Sequence, residues 1–404
     1  MNVLVVSRLY PRPNDPVLGI FVEEEVRELS GQCRIRVVSP VPWFPPLERF
    51  PRWYAYSQFP QREIRAGVEV LRPRALLLPR NLLFPLMGLS FYLTLRSALR
   101  RLLQELPIDL IHAHTAYPDG FAAALLGRAT DLPVVISLHG GDVNLYFRRF
   151  SGRKQGLWAI THANRVIASS RSLQHTVVDK YGADPGRIAV VPSGVDTGKF
   201  RPLARQKAES SLSLAPQAPR LLYVGAITRS KGIHHLLRAF ARLDRAVIDP
   251  PRLLLVGNGD YAGPARLLAE KLGVGERVTF VGQRPNDEIP LWINACDLLV
   301  LPSLSEGFGV VLVEALACGK PVVATACGGP EDIVTPEVGI LVPPGDESSL
   351  AEALTVALND GHRFNAESIR RYAQDNFAYE RVGARILNLY REVLAQESRR
   401  SSTP

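Results

Sequence analysis

The chain has 404 residues, 46% of them hydrophobic and 22% charged, enough for two or three domains with their own cores and unlike disordered, collagen-like or coiled-coil compositions. Its four cysteines, Cys33, Cys296, Cys318 and Cys327, exclude a disulfide framework, and they form no C-x-x-C pair of the kind that marks structural zinc. The formal net charge of +9 lies wholly in the first half: residues 1–199 hold 25 Lys and Arg against 16 Asp and Glu, and residues 200–404 hold 23 of each. That asymmetry reads either as an arginine-rich composition or as a first half that meets an anionic partner such as a membrane surface.

The start, MNVLVVSRLY, has no basic n-region and no small-residue cleavage site, so the expected compartment is the cytoplasm. Short β-branched runs predict buried strands at 2–7, 34–40, 109–114, 133–138, 165–170 and 188–193. Segments of helical period, 19–30 and 119–130 among them, lie between these runs.

The segment 72–106 differs from its neighbours. Apolar residues crowd Leu82 to Leu95, flanked by Arg72, Arg74, Arg80, Arg96, Arg100 and Arg101. Its uncharged stretch from Asn81 to Leu95 is 15 residues long and contains Pro85, short of the ~20 that span a bilayer. It reads as a core helix or as an interfacial helix with basic flanks.

Residues 196–219 are polar with three prolines and read as an interdomain linker. Strand signals resume at 220–225, 252–256, 278–281, 298–302, 321–325 and 339–343, and 379–397 is an amphipathic helix. Alternating strands and helices predict βαβ units with parallel sheets, in two α/β domains.

The most informative stretch is 301–329, LPSLSEGFGVVLVEALACGKPVVATACGG. A strand ends at Pro302 and Ser303, a glycine-punctuated loop follows, and a helix runs from about Gly309 to Ala317. Gly307 and Gly309 remove side chains where that helix begins, and a helix N-terminus presents unpaired N–H donors that suit a phosphate. Glu306 and Glu314, eight positions apart, are costly beside an anion unless they accept hydrogen bonds, for which sugar and ribose hydroxyls are natural donors. A second element, YVGAITRSKG at 223–232, runs from a strand into a loop with two cations, Arg229 and Lys231, placed to neutralise a diphosphate.

These motifs resemble family 4 retaining glycosyltransferases of the GT-B fold. The likeness covers nearly the whole chain and is most specific over 220–345. It implies two facing Rossmann-like domains with a cleft between them: residues 1–200 for the acceptor, 201–375 for a nucleotide-sugar, and 376–404 as a helix crossing back to the first domain. Glu306 would bind hydroxyls of the donor sugar, and Glu314 those of the ribose. Backbone N–H groups about Gly307, Phe308, Gly309 and Val310 would meet the sugar or diphosphate. Gly225, Arg229 and Lys231 would hold the leaving diphosphate, although Ala226 stands where relatives commonly carry Arg. Gln283 and Arg284, after FVG, match a loop that borders the base. Gly19, which opens a helix after SRLYPRPNDPVL, would let backbone approach the donor phosphate. His139, in SLHGGDVN, would lie near the reaction centre, with Asp142 orienting it or binding an acceptor hydroxyl. Ser193 stands where the family commonly has Asn.

The resemblance implies transfer of a sugar from a UDP- or GDP-linked donor to an acceptor hydroxyl, with no metal and no cofactor. NDPVLGIF and VPWFPP are similar to segments of bacterial transferases that build polysaccharides on lipid-linked acceptors at the inner membrane face. Two other readings are a GT-B sugar-nucleotide epimerase and a non-catalytic nucleotide-sugar or glycan binder. Nucleic acid is not an expected partner, because no aromatic-basic motif accompanies the charge.

Other patterns mislead. Gly257-Asn-Gly259-Asp-Tyr-Ala-Gly263 is one residue too long for a dinucleotide fingerprint and lacks the later acidic residue. His112 and His114 alternate on a strand and could face one metal, but no third ligand is evident in sequence. His234 and His235 are adjacent, and on a helix they would be expected to point apart. No D-x-D triplet, G-x-S-x-G or P-loop pattern occurs.

Overall fold

A computed structural model describes residues 1–43, 45–77, 84–215, 219–243, 250–360 and 363–401. The chain divides into two compact units: Met1–Pro192 with the chain from Val382 onward, and Ser193–Arg381.

The strands of unit 1 are β1 (Asn2–Val6), β2 (Arg34–Val38), β3 (Val41–Pro42), β4 (Arg62–Arg65), β5 (Val68–Leu71), β6 (Arg74–Ala75), β7 (Leu110–His114), β8 (Val134–Leu138), β9 (Arg165–Ala168) and β10 (Ile188–Val190). Eight of them form one sheet in the order β10-β9-β8-β7-β1-β2-β5-β4. Its pairs are parallel except β4, which runs antiparallel to β5. Alternate residues serve opposite cores. Leu4, Val6, Ile111 and Ile136 pack with Phe91, Leu95 and Leu99 of the helix Met87–Glu105. Val3, Val5, Leu110 and Val135 pack on the other side with Val22, Val26 and Leu29 of the helix Ile20–Ser30, joined by Val382, Ile386 and Tyr390 of the terminal helix Tyr379–Ser401. A sheet covered on both faces explains why its strands are continuous apolar runs.

Unit 2 holds β11 (Arg220–Val224), β12 (Arg252–Val256), β13 (Val278–Gly282), β14 (Leu298–Leu301), β15 (Val322–Thr325) and β16 (Gly339–Val342), ordered β13-β12-β11-β14-β15-β16. Every pair is parallel. In such a sheet the strand order reverses at a switch point, here between β11 and β14, and the loops beyond the strand ends diverge there to leave room for a ligand. Unit 1 has its own switch point between β1 and β7.

Two expectations change. Residues 196–215 are packed parts of unit 2 instead of a loose linker. Phe200 is fully buried, Arg205–Ser211 is helical, and the Leu203 N–H donates to Asn294 Oδ1 at 2.8 Å. Residues 216–218 of that stretch lie outside the described residues. In 72–106 the helix begins at Met87 and presents both faces foreseen as alternatives: Phe91, Leu95 and Leu99 are in the core, and Leu89 and Leu93 are exposed. Arg80, Asn81 and Leu82 lie outside the described residues. Among the described residues no helix is long and apolar enough to cross a membrane.

Candidate functional site

The unit 2 site is built from loops at the β11/β14 switch point. After β11, Arg229–Lys231 forms a 3-10 turn that Gly232 closes with φ of 69°. A Cβ on Gly232 would stand 1.8 Å from the Pro302 carbonyl oxygen, so the two loops touch backbone to backbone. That contact sets Lys231 beside the loop after β14, where its Nζ donates to Glu306 Oε2 at 2.6 Å. The Ser303 hydroxyl donates to the same oxygen at 3.1 Å. Glu306 is held by its backbone as well: its N–H donates to the Cys327 carbonyl at 3.3 Å and its carbonyl accepts from Gly329 N–H at 3.0 Å. A half-buried lysine and a half-buried glutamate thus neutralise each other where a phosphate and a sugar hydroxyl could each take one of them.

Beyond Glu306 the chain turns through Gly309, with φ of 100°, into the helix Val310–Ala317. Phe308 sends its ring into the core near Phe377 and leaves only its backbone for a ligand. Gly329 must lack a side chain because its Cβ would fall 2.2 Å from Phe308 Cα. Val310 begins the helix and Glu314 lies, half-buried, in its second turn. Gly225 follows β11 directly, and its N–H donates to the Val256 carbonyl at 3.0 Å. Arg229 is exposed.

Gln283 and Arg284 follow β13, two strands from β11. Gln283 is exposed, and the Arg284 guanidinium lies 5.8 Å from the centre of the Trp292 ring. The glycines of the false dinucleotide motif have a packing cause. A Cβ on Gly257 would meet Gly225 O at 1.9 Å, and one on Gly259 would meet Ile227 O at 2.2 Å. They let the loop after β12 lie against the loop after β11.

In unit 1, Gly19 precedes the helix Ile20–Ser30 with φ of 65°, and its Cβ would stand 2.3 Å from Leu9 O, so the fold itself requires glycine there. His139 follows β8. Its backbone N–H donates to Asp142 Oδ1 at 3.3 Å, and Asp142 Oδ2 accepts from Ala116 N–H at 2.8 Å. With its side chain buried and both oxygens on backbone amides, Asp142 braces the loop that carries His139. The His139 ring meets the edge of Phe21 at 4.8 Å and places Nε2 3.0 Å from His114 Nδ1.

Sequence reasoning missed several partners. Asp119, fully buried, accepts from Arg8 N–H at 3.1 Å and from the Thr115 hydroxyl at 2.9 Å, tying together the loops after β1 and β7. Glu25 reaches the neighbourhood of His112 and His114, supplying the third acid or base that sequence did not reveal. His112 nevertheless has both nitrogens engaged: Nε2 with the Ser137 hydroxyl at 2.8 Å and Nδ1 with the Tyr390 hydroxyl at 2.6 Å. The grouping therefore offers no free imidazole nitrogen at His112.

Burial pushes the Glu25 carboxyl up to about 8 and that of Asp119 to about 7. Burial also keeps His112, His114 and His139 neutral, with His112 lowered to about 3 and His139 to about 4. Between pH 7.5 and 8.5 the histidines are almost wholly neutral in both folded and unfolded chains, while native Glu25, and in part Asp119, retain protons that the unfolded chain has lost. Stability should therefore fall as pH rises through this window, by at most about 1.4 kcal/mol per pH unit for each carboxyl. Urea midpoints at pH 7.5 and 8.5 check this, and a flat or rising trend would contradict it.

Two α/β units with parallel sheets, each with polar loops at a switch point, define a fold of the GT-B class. Sucrose-phosphate synthase from Thermosynechococcus elongatus superposes with a TM-score of 0.81 at 24% identity, over 98% of this chain and 100% of that one. HepE of Anabaena in complex with UDP gives 0.73 at 22% identity, over 97% and 99%. Residues 18–199 match Glycosyltransferase Family 4, and residues 204–376 match Glycosyl transferases group 1. The chain is 33% identical over 393 residues to the putative teichuronic acid biosynthesis glycosyltransferase TuaC of Bacillus subtilis (strain 168), covering 95% of this chain and 94% of that protein. It belongs to the group 1, family 4 glycosyltransferases.

Proposed function

We propose that this glycosyltransferase moves a sugar, with retention at the anomeric carbon, from a UDP- or GDP-linked donor to an acceptor hydroxyl in bacterial polysaccharide or glycolipid synthesis. The observation that carries this reading is the Lys231–Glu306 pair at the β11/β14 switch point, beside the Gly309-led helix. The donor would exchange that pair: its diphosphate takes Lys231, and its sugar hydroxyls donate to Glu306. Arg229 and the N–H groups of Phe308, Gly309 and Val310 add positive charge, and Glu314 accepts from the ribose. Gln283 and Arg284 border the base, and Gly225 lets the backbone pass close to the donor.

In the step itself, the bond from the anomeric carbon to the diphosphate oxygen breaks. The acceptor oxygen attacks that carbon from the same face, and the acceptor proton passes to the departing phosphate. Preorganised cations stabilise the charge that develops there, so this reading asks for no metal and no cofactor. In this reading unit 1 serves the acceptor, with His139 and the backbone at Gly19 as its own candidate contacts. UDP in the HepE complex and teichuronic acid in the TuaC name support the choice of donor and pathway.

The test is release of nucleoside diphosphate from a panel of UDP- and GDP-sugars in the presence of EDTA and saccharide or polyprenyl-phosphate-linked acceptors, with NMR of the product's anomeric proton. An inverted product would refute retention. Sugar conversion without an acceptor would indicate an epimerase.

The exposed face of Met87–Glu105 supports work at the inner face of the cytoplasmic membrane. Leu86, Leu89 and Leu93 are 52%, 47% and 57% exposed, and Arg96 and Arg100 continue the same face. Phe150, 72% exposed, lies on the helix Phe150–His162, whose Gln155 side chain donates to Pro85 O at 2.8 Å. Leucines ringed by arginines suit an anionic bilayer surface. Replacing Leu89 and Leu93 together by Glu should reduce co-sedimentation with phosphatidylglycerol vesicles about tenfold or more while leaving the fold intact. Equal sedimentation of variant and parent would remove this face from membrane contact.

A further inference from the structure

Three titratable side chains line up in unit 1 and end at His139. The His139 and His114 rings are nearly parallel, 3° apart, with Nε2 of the first 3.0 Å from Nδ1 of the second. On its far side, His114 Nε2 faces Glu25 Oε1 at 3.8 Å. Both of these atoms are buried, and neither makes a hydrogen bond among the described residues. Two polar atoms left facing each other in a core are costly unless a proton joins them. The gap exceeds a hydrogen bond by about 1 Å, which a torsional adjustment of the carboxyl supplies.

We propose that Glu25 and His114 are positioning residues that set which ring nitrogen of His139 carries its proton. With Glu25 protonated, its O–H donates to His114 Nε2. His114 then keeps its proton on Nδ1 and donates to His139 Nε2, so His139 carries its proton on Nδ1. When one proton leaves, each ring changes tautomer. The Nδ1 proton of half-buried His139 passes to solvent, the His114 Nδ1 proton moves to His139 Nε2, and the Glu25 proton moves to His114 Nε2. The final state is a carboxylate that accepts from His114 Nε2–H, and a His139 whose Nδ1 is a bare acceptor. Neither imidazole becomes charged, and one proton is lost overall.

Burial sets the energetics of this chain. It raises Glu25 to about 8 and holds His114 well below the usual histidine range, so near neutrality the partners are a carboxylic acid and a neutral ring. Among the described residues, the other titratable groups that interact with these side chains or with their neighbour Tyr390 are His112, Tyr390 and Cys33, and burial keeps each of them uncharged near neutrality. Asp142 meets His139 at its backbone N–H, not through a ring nitrogen. His112 is not a link, because both of its nitrogens bond Ser137 and Tyr390. The relay would make the Nδ1 of His139 a hydrogen-bond donor at neutral pH and an acceptor above it. Its use in sugar transfer rests on the role proposed for His139, but the relay does not.

The experiment is side-chain ¹⁵N NMR of the full chain labelled at histidine, from pH 5.5 to 9.5, with signals assigned by single His→Asn replacements. His114 and His139 should exchange tautomers together, with one midpoint near 8, without passing through an imidazolium, while His112 stays unchanged. In Glu25→Leu the linked exchange should vanish. Glu25→Gln, which keeps the shape of the side chain and cannot titrate, should abolish it as well and serves if the leucine variant does not fold. Independent titration of the two rings, constant tautomers in the parent, or an exchange that persists in Glu25→Gln would each overturn the relay. Failure to transfer any sugar would leave this result standing, so the two readings fail separately.

Discussion

Replacing Lys231 by Ala should lower turnover by roughly 10²–10³-fold, the usual cost of removing one preorganised group from a developing negative charge. Lys231 lies on a turn whose shape is fixed by Gly232 and by the contact with Pro302, not by the lysine side chain. The fold should therefore lose little. The substitution frees Glu306 from its 2.6 Å partner, but Ser303 still donates to that carboxylate, which keeps partial access to water. Turnover of the donor and thermal unfolding, measured on the same preparation, separate the two effects. A folded variant with parental turnover would mean that Lys231 does not meet the leaving phosphate. Lys231→Arg keeps the charge but presents a planar fork, and should recover only part of the rate.

Glu314→Ala should weaken binding of the nucleoside diphosphate by about 10–150-fold, the equivalent of the ~1.5–3 kcal/mol carried by hydrogen bonds to a charged acceptor. Glu314 sits in the second turn of Val310–Ala317, within reach of a ligand held at the N-terminus of that helix. Alanine is the better helix former, so lost affinity would not reflect a lost helix. The corresponding 2′-deoxyribose nucleotide supplies a control. It should bind the parent more weakly and distinguish little between parent and variant. Equal affinity of both proteins for the ribonucleotide would remove Glu314 from the ribose.

Much of the fold is legible in the sequence, and the reason is physical. The twelve runs expected as strands coincide with β1, β2 and β7 to β16, because strands covered on both faces must be continuous apolar segments. The hairpin β4–β5 was not expected. Its turn places Ala66 at φ of 49° ahead of Gly67, a position where Asn or Asp is the usual signal, and β4 lies on the sheet edge. The short pair β3–β6 has two residues per strand, too few for any alternation to show.

The site was legible in parts. Glu306, Lys231 and the glycines were visible as motifs, but the meeting of Lys231 and Glu306 was not. They are 75 positions apart, and only the adjacency of β11 and β14 brings them together. Glu25 was hidden in the run Glu23-Glu24-Glu25, which reads as a solvated face. A signal was nevertheless present: Val22, Glu25, Val26 and Leu29 share the i, i+3, i+4, i+7 spacing of a buried stripe. Asp142 shows the opposite difficulty. It was visible beside His139 but could be read as orienting that residue or as binding an acceptor hydroxyl, and its carboxylate accepts from two backbone amides, one of them that of His139.

Binding of a nucleoside diphosphate by unit 2 at the β11/β14 switch point can be read from thermal unfolding with UDP, GDP, ADP and NAD, each with EDTA and with Mg²⁺. A ligand at 100 times its dissociation constant adds about 2.7 kcal/mol of stability. The melting temperature should rise with UDP or GDP, independently of Mg²⁺, and the rise should be diminished in Lys231→Ala and Glu314→Ala. A rise with NAD alone, no rise with any of the four, or a rise that both variants retain in full would contradict it.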